Sequence, residues 1–396
     1  MTKLLYVEDD ALVSRLYTQK LIEAGYDVTL AEDGLEAIRR LAEFRPDVVV
    51  LDLLLPKMNG ADVLKFMREQ PTLSDVPVIV FSNAFLSSLA QEAAASKVET
   101  ALVKAAATPA ELVATVYDVM HSRPAADAES DAKTAESVPI PVETRQAAVA
   151  VPETEVEFDK RVQKEFFEQT PLILKSLREI CRKFIDAAEP TAELRRLEDL
   201  TRKVGFLAQM TALAGCHHLS QLASALEAML YDLHDGTKPI SDSSRHTIIT
   251  AVAFLADQLE APGRPKTGEP KESSILVVDD DAVSNRVVVQ SLNRANLQAT
   301  GVGDPFDALK QLESTPYDLV LLDVDMPGMD GITLCEQMRA LPLHKHTPAV
   351  FVTGLTDFKT RARSLLASGN EIIAKPILSL ELTVKVITQL LRSRLR

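Results

Sequence analysis

Short apolar runs separated by amphipathic segments recur near both ends of the chain. In the first part the runs are KLLYV, YDVTLA, DVVVLD, VPVIVFS and TALVK, five to seven residues each and rich in Val, Leu and Ile. Runs of that length and composition, nearly unbroken by polar residues, predict strands buried on both faces. The stretches between them carry helical periodicity. Five strands alternating with helices predict a parallel sheet covered on both sides, an α/β doubly wound domain.

The same pattern returns later in the chain. VVVLDLLLPKMNG (48–60) is echoed by LVLLDVDMPGMDG (319–331), with an acid, then a proline four places on and a glycine eight on. Glu8 and Asp279, Asp9 and Asp280, Asp52 and Asp323, Ser82 and Thr353, and Lys104 and Lys375 are each 271 positions apart. One domain has been used twice.

Between the copies the pattern changes. Residues 123–154 are rich in Ala, Pro, Glu and Ser with no sustained periodicity, which predicts a flexible linker. Residues 155–261 hold no convincing strand and predict an all-α bundle. Thr170-Pro171 and Pro190-Thr191 read as helix starts, Gly215 and Gly236 as ends, and Ser241 as the cap of a last helix. Leu197, Leu200, Val204 and Leu207 step by three and four, an apolar face for the bundle. A second linker, 262–272, leads to the second copy at 273–396, as the first copy occupies 1–122.

Composition narrows the function. The net charge of −14 argues against a nucleic-acid surface, which needs clustered Lys and Arg. The nearest basic stretch, RRLEDLTRK, is interrupted by two acids, so neither a DNA-binding output domain nor a nucleic-acid partner is expected. Cys181, Cys216 and Cys335 are far apart without metal-ligand spacing and read as reduced core residues. No apolar run approaches the roughly 20 residues that span a bilayer, and MTKLLYVEDD has no apolar signal core. No membrane contact and a cytoplasmic location are expected.

In an open parallel sheet, ligands sit beyond the carboxyl ends of the strands, and the repeated residues fall there: Glu8 and Asp9 after strand 1, Asp52 after strand 3, Ser82 after strand 4, Lys104 after strand 5. Three converging carboxylates repel one another unless a cation joins them. A hard divalent ion with oxygen ligands, Mg²⁺ above all, suits that set. A lysine and a hydroxyl complete a site able to hold a phosphoryl group on a carboxylate. Asp10 and Asp281, the last of each acidic run, read as helix caps.

These residues carry a resemblance. Both ends of the chain resemble the receiver domain of bacterial two-component response regulators, the group that includes the chemotaxis protein CheY. The resemblance implies a flavodoxin-like sheet of order 2-1-3-4-5, and Asp52 and Asp323 as phosphoacceptors supplied by a sensor histidine kinase or a histidine phosphotransfer (HPt) protein. It further implies Mg²⁺ held by Glu8, Asp9 and Asp52 with the Leu54 carbonyl, and by Asp279, Asp280 and Asp323 with the Asp325 carbonyl. Ser82, Thr353, Lys104 and Lys375 then contact the phosphoryl group. Such domains assist their own phosphorylation and dephosphorylation but are not otherwise enzymes.

The copies depart from the family pattern unequally. The second has Lys375-Pro376 and a small Gly354; the first has Ala105 after the lysine, a bulkier Asn83 beside Ser82, and apolar Leu54 opposite Asp325. Slower donor entry or slower hydrolysis is expected in the first. The aromatic switch residue is Ala101 in one copy and Ile372 in the other. The middle region resembles an HPt domain in Gly215, Leu219 and Leu226-Glu227, yet its register places Gly205 at the histidine, Ala208 at the lysine and Gln209 at the glycine. Without an imidazole it has no nitrogen nucleophile there. His217 and His218 are out of register, and His234 and His246 lack any signature.

The sequence therefore reads as a two-component phosphorelay response regulator: receiver, degenerate HPt-like bundle, receiver. Its output is contact with a downstream protein partner, and a homodimer is among the expected assemblies. The alternatives are a relay intermediate using a non-standard histidine, and a scaffold independent of phosphorylation.

Overall fold

The computed structural model describes residues 1–83, 93, 96, 98–104, 107–121, 155–187, 189–235, 240–261, 273–353, 371–375 and 377–394. The first domain runs β1 (Lys3–Val7), α1 (Ala11–Glu23), β2 (Asp27–Ala31), α2 (Gly34–Glu43), β3 (Val48–Leu51), α3 (Gly60–Glu69), β4 (Val78–Ser82), β5 (Thr100–Val103) and α4 (Pro109–His121). All five sequence-predicted strands form, each within two residues of the apolar run that marked it. Their order is β2-β1-β3-β4-β5, and every pairing is parallel. Asp10 caps α1, accepting from the amides of Leu12 and Val13.

The bundle holds α5 (Glu155–Ile185), α6 (Pro190–Leu213), α7 (His217–His234) and α8 (Asp242–Glu260). Leu197, Leu200, Val204 and Leu207 are fully buried in its core. Gly215 adopts φ 74°, and the amide of Cys216 returns to the carbonyl of Thr211 at 2.7 Å, closing α6 as expected. Ser241 caps α8 through the Ser244 amide at 3.0 Å.

Thr170-Pro171 does not begin a helix: α5 runs straight through it. The apolar stripe Phe166, Ile173, Leu174, Leu177, Cys181 and Phe184 continues across the proline and is buried throughout. Pro171 is exposed on the outer face, away from the buried stripe. Burial of one continuous face outweighs the local breaker.

The second domain repeats the first: β6 (Ser274–Val278), α9 (Ala282–Arg294), β7 (Gln298–Val302), α10 (Pro305–Ser314), β8 (Leu319–Asp323), α11 (Gly331–Ala340), β9 (Ala349–Thr353), β10 (Glu371–Ala374) and α12 (Ser379–Arg394). Its sheet has the order β7-β6-β8-β9-β10. Asp281 caps α9 as Asp10 caps α1. Both linkers, Gly236, Ala105, Gly354 and Pro376 lie outside the described residues. Cys181, Cys216 and Cys335 are free and buried. Among the described residues no helix is long and apolar enough to cross a membrane.

The two copies meet the bundle through different faces. In the second, α12 is buried on nearly all sides between its own sheet and the bundle. Glu381 on α12 accepts from Ser244 at 3.0 Å and Thr247 at 3.3 Å of α8, and Lys385 donates to the Ile372 carbonyl at 2.9 Å. The corresponding helix of the first copy, α4, leaves Tyr117 exposed. The first copy instead turns its α1 and the carboxyl ends of its strands to α6 and α7, with Leu16 joining the bundle core and Tyr231 packing on the core of the first copy.

Candidate functional site

The parallel register places the end of β1 beside the end of β3, so Glu8, Asp9 and Asp52 emerge together. Their ligand atoms lie within 4.8 Å of one another, and the same holds for Asp279, Asp280 and Asp323. Lys104, just after β5, reaches back across the sheet: its Nζ donates to Glu8 Oε2 at 2.5 Å and to Asp52 Oδ2 at 2.6 Å. Lys375 repeats this with Asp279 at 3.1 Å and Asp323 at 2.8 Å. The amide of Leu54 donates to Asp52 Oδ1 at 3.1 Å, orienting the carboxylate. Ser82 is buried at the end of β4, and its carbonyl accepts from the Lys104 amide. Thr353 ends β9 opposite Ala374, with its side chain outside the described atoms.

The glycine of each echoed motif has a steric reason. A Cβ on Gly60 would lie 2.0 Å from the Asp52 carbonyl oxygen, and one on Gly331 would lie 2.1 Å from that of Asp323. The helix after the acid therefore starts against the backbone of the acid itself, which holds the loop close.

Burial pushes Glu8 up to about 8, against the pull of Lys104, and Asp9 up to about 6, with Asp52 adding to the effect. Burial alone would depress the Lys104 ammonium, but Asp52 and Glu8 outweigh it and its pKa is raised. Asp323 is raised, chiefly by burial; Lys375 is raised by Asp323 and Asp279 despite its own desolvation. Three acids against one ammonium leave the site short of positive charge. Hard oxygen donors this close together fit a divalent cation such as Mg²⁺.

Several contributors were not singled out from the sequence. The Tyr6 hydroxyl donates to Glu8 Oε2 at 3.2 Å, and Ser284 donates to Asp279 Oδ2 at 2.6 Å. Lys57, at φ 65° where the second copy has Gly328, pairs with Asp33 at the rim of the site.

Glu227, read in the sequence only as part of the HPt-like Leu226-Glu227 pair, has a place at the first site that was not foreseen. It comes from α7 of the bundle and lines, with Asp9, Asp52, Gly205 and Gln209, a cavity of about 430 Å³ over the first site. Burial, then the charge of Asp52, push its carboxyl well above the usual carboxylate range. The sequence shows it as a lone acid inside ALEAML, with nothing that ties it to Asp52. Of the out-of-register histidines, His217 is exposed and His218 half-buried.

The profile of the response regulator receiver domain family matches residues 4–117 and 275–387, more than half of the chain. Among curated proteins, the chain is 34% identical over 113 residues to the cyclic di-GMP phosphodiesterase response regulator RpfG of Xanthomonas campestris, a match covering 28% of this chain and 30% of that protein. It is 36% identical over 118 residues to the uncharacterized transcriptional regulatory protein YrkP of Bacillus subtilis, covering 30% and 49% respectively. The chain thus spans less than half the length of these two relatives. Among solved structures it is similar to the chemotaxis response regulator CheY4 of Vibrio cholerae, with 30% identity, a TM-score of 0.29, and coverage of 30% of this chain and 98% of that one. It is also similar to the receiver domain of sensor histidine kinase PA1611 of Pseudomonas aeruginosa, solved with magnesium in its active site cleft, with 26% identity, a TM-score of 0.29, and coverage of 30% and 97%. Matched at both ends by one profile, and carrying the same sheet order and acid–lysine cluster in each match, the chain belongs to the response regulator receiver family and holds two receiver domains.

Proposed function

We propose that this protein is a two-component phosphorelay response regulator in which Asp52 and Asp323 each accept a phosphoryl group from a histidine kinase or HPt protein. The observation that carries the reading is the repeated geometry of one lysine bridging two acids at the mouth of each sheet. In the transfer, a carboxylate oxygen of the aspartate forms the new bond to phosphorus, while the bond from phosphorus to the donor breaks and the donor leaves with its electron pair. Glu8 and Asp9, or Asp279 and Asp280, would hold Mg²⁺ with the aspartate and the carbonyl of Leu54 or Asp325. The ion supplies charge neutralisation for the incoming phosphoryl oxygens. Lys104 and Lys375 pair with that group, and Ser82 and Thr353 donate to it.

Phosphorylation adds nearly two negative charges and strong acceptor oxygens, enough to reset the surrounding loops. The output is contact with a protein partner in the cytoplasm rather than DNA binding. The central bundle, spanning 155–261, is a docking domain: Gly205 replaces the nucleophile of an HPt domain. Relay through another bundle histidine is less well supported. His234 lines a cavity of about 310 Å³ that includes Asp9 but not Asp52.

The test is incubation with Mg²⁺ and acetyl phosphate, with intact mass read for wild type, Asp52→Asn, Asp323→Asn and the double variant. The expected result is phosphate addition that disappears with the aspartates and is absent from the double variant. Undiminished addition in the double variant would refute the assignment.

A further inference from the structure

Transfer to a carboxylate needs the donor to approach in line, from the side opposite the oxygen that attacks. For Asp323, the flanking Lys375 side chain remains 30% exposed; for Asp52, Lys104 is 1% exposed beneath the bundle. The cavity in front of Asp52 is walled on the bundle side by Thr201, Arg202, Gly205, Phe206, Gln209 and Glu227. Gly205 has no side chain to extend, and the space is taken by its neighbour: a Cβ there would lie 2.2 Å from Glu227 Oε1.

Glu227 is 6% exposed, and its Oε2 has no hydrogen-bond partner. A buried acid left partly unsatisfied weakens a fold, so stability does not explain its presence in the middle of α7. Cation binding does not explain it either, because Glu227 falls outside the cluster of Glu8, Asp9 and Asp52 whose ligand atoms lie within 4.8 Å of one another. Its strongest electrostatic neighbours are Asp52 and Lys104, the acceptor and the residue paired with it, and Asn83 flanks it.

We infer that Glu227, presented over Gly205, stands in the donor's approach to Asp52 and closes the first receiver to phosphodonors while the bundle is docked, leaving the second receiver to take phosphate. This rests on the phosphoacceptor reading of both aspartates. The bundle has thus exchanged a nucleophile for a gate: where an imidazole would hand over a phosphoryl group, α6 and α7 wall the cavity and the Glu227 carboxyl stands in the donor's path. Specificity between two chemically similar sites then comes from what covers each one.

The experiment uses the full chain with Mg²⁺ and acetyl phosphate. Borohydride trapping converts each acyl phosphate to homoserine, and peptide mass gives separate rates for Asp52 and Asp323. In wild type, Asp323 labels faster. Glu227→Ala raises the Asp52 rate about tenfold by removing bulk, and Glu227→Gln, which keeps the bulk, leaves it near the wild-type rate. The Asp323 rate stays unchanged in both variants, which also reports their folding. An Asp52 rate that is the same in all three proteins while Asp323 labels normally would overturn the gate and leave the acceptor reading standing. Labelling of neither aspartate in any protein would overturn both.

Discussion

Replacing Lys104 with methionine tests the electrostatics of the first site directly. Lys104 is 1% exposed and bonds Glu8 and Asp52 at 2.5 and 2.6 Å, so Lys104→Met removes the counter-ion shared by two buried acids. Losing one partner of a buried ion pair costs about 3–5 kcal/mol. Glu8, raised to about 8, already carries its proton most of the time at neutral pH, so less charge is left uncompensated and the expected loss lies near the lower bound, about 3 kcal/mol. Lys375 makes the same two contacts at 3.1 and 2.8 Å but is 30% exposed, and water shares its role. Lys375→Met therefore costs only about 1 kcal/mol. Hydrogen exchange read by mass spectrometry reports each receiver from its own strands. Amides of β1 and β3 should exchange about a hundredfold faster in Lys104→Met, while those of β6 and β8 change about fivefold in Lys375→Met. Adding Mg²⁺ should restore part of the protection in Lys104→Met, because the cation returns positive charge to the three acids. Equal losses in the two variants, or no recovery with Mg²⁺, would refute the reasoning.

Two further outcomes follow from the fold. Gly60→Ala and Gly331→Ala drive a methyl group into the carbonyl of the site aspartate, a backbone atom that cannot swing aside, and each should lower stability by about 3 kcal/mol, measured by calorimetry. Pro171→Ala should stabilise the bundle by about 2 kcal/mol, because alanine restores a donor inside α5; a melting temperature followed by circular dichroism that falls or stays level would count against the helix running through residue 171.

The repeated domain was legible in the sequence because its determinants are local. Strands buried on both faces must be continuous apolar runs, and the crossover helices between them must be amphipathic, so KLLYV, DVVVLD and VPVIVFS announced β1, β3 and β4 within two residues. The acids and lysine announced the cluster because a parallel sheet sends every strand's end to one edge, and Lys104 and Asp52 meet there although 52 positions apart. Local reasoning failed at Pro171, where the breaker's preference lost to a stripe of side chains buried by other helices. It was also blind to the arrangement of domains. Nothing in either copy's pattern says that one turns its site to the bundle and the other its last helix, since that choice depends on how whole surfaces fit. Only the tertiary structure brought Glu227, 175 positions from Asp52, to the same cavity, and only there does an acid in an apolar helix acquire a neighbour to act upon.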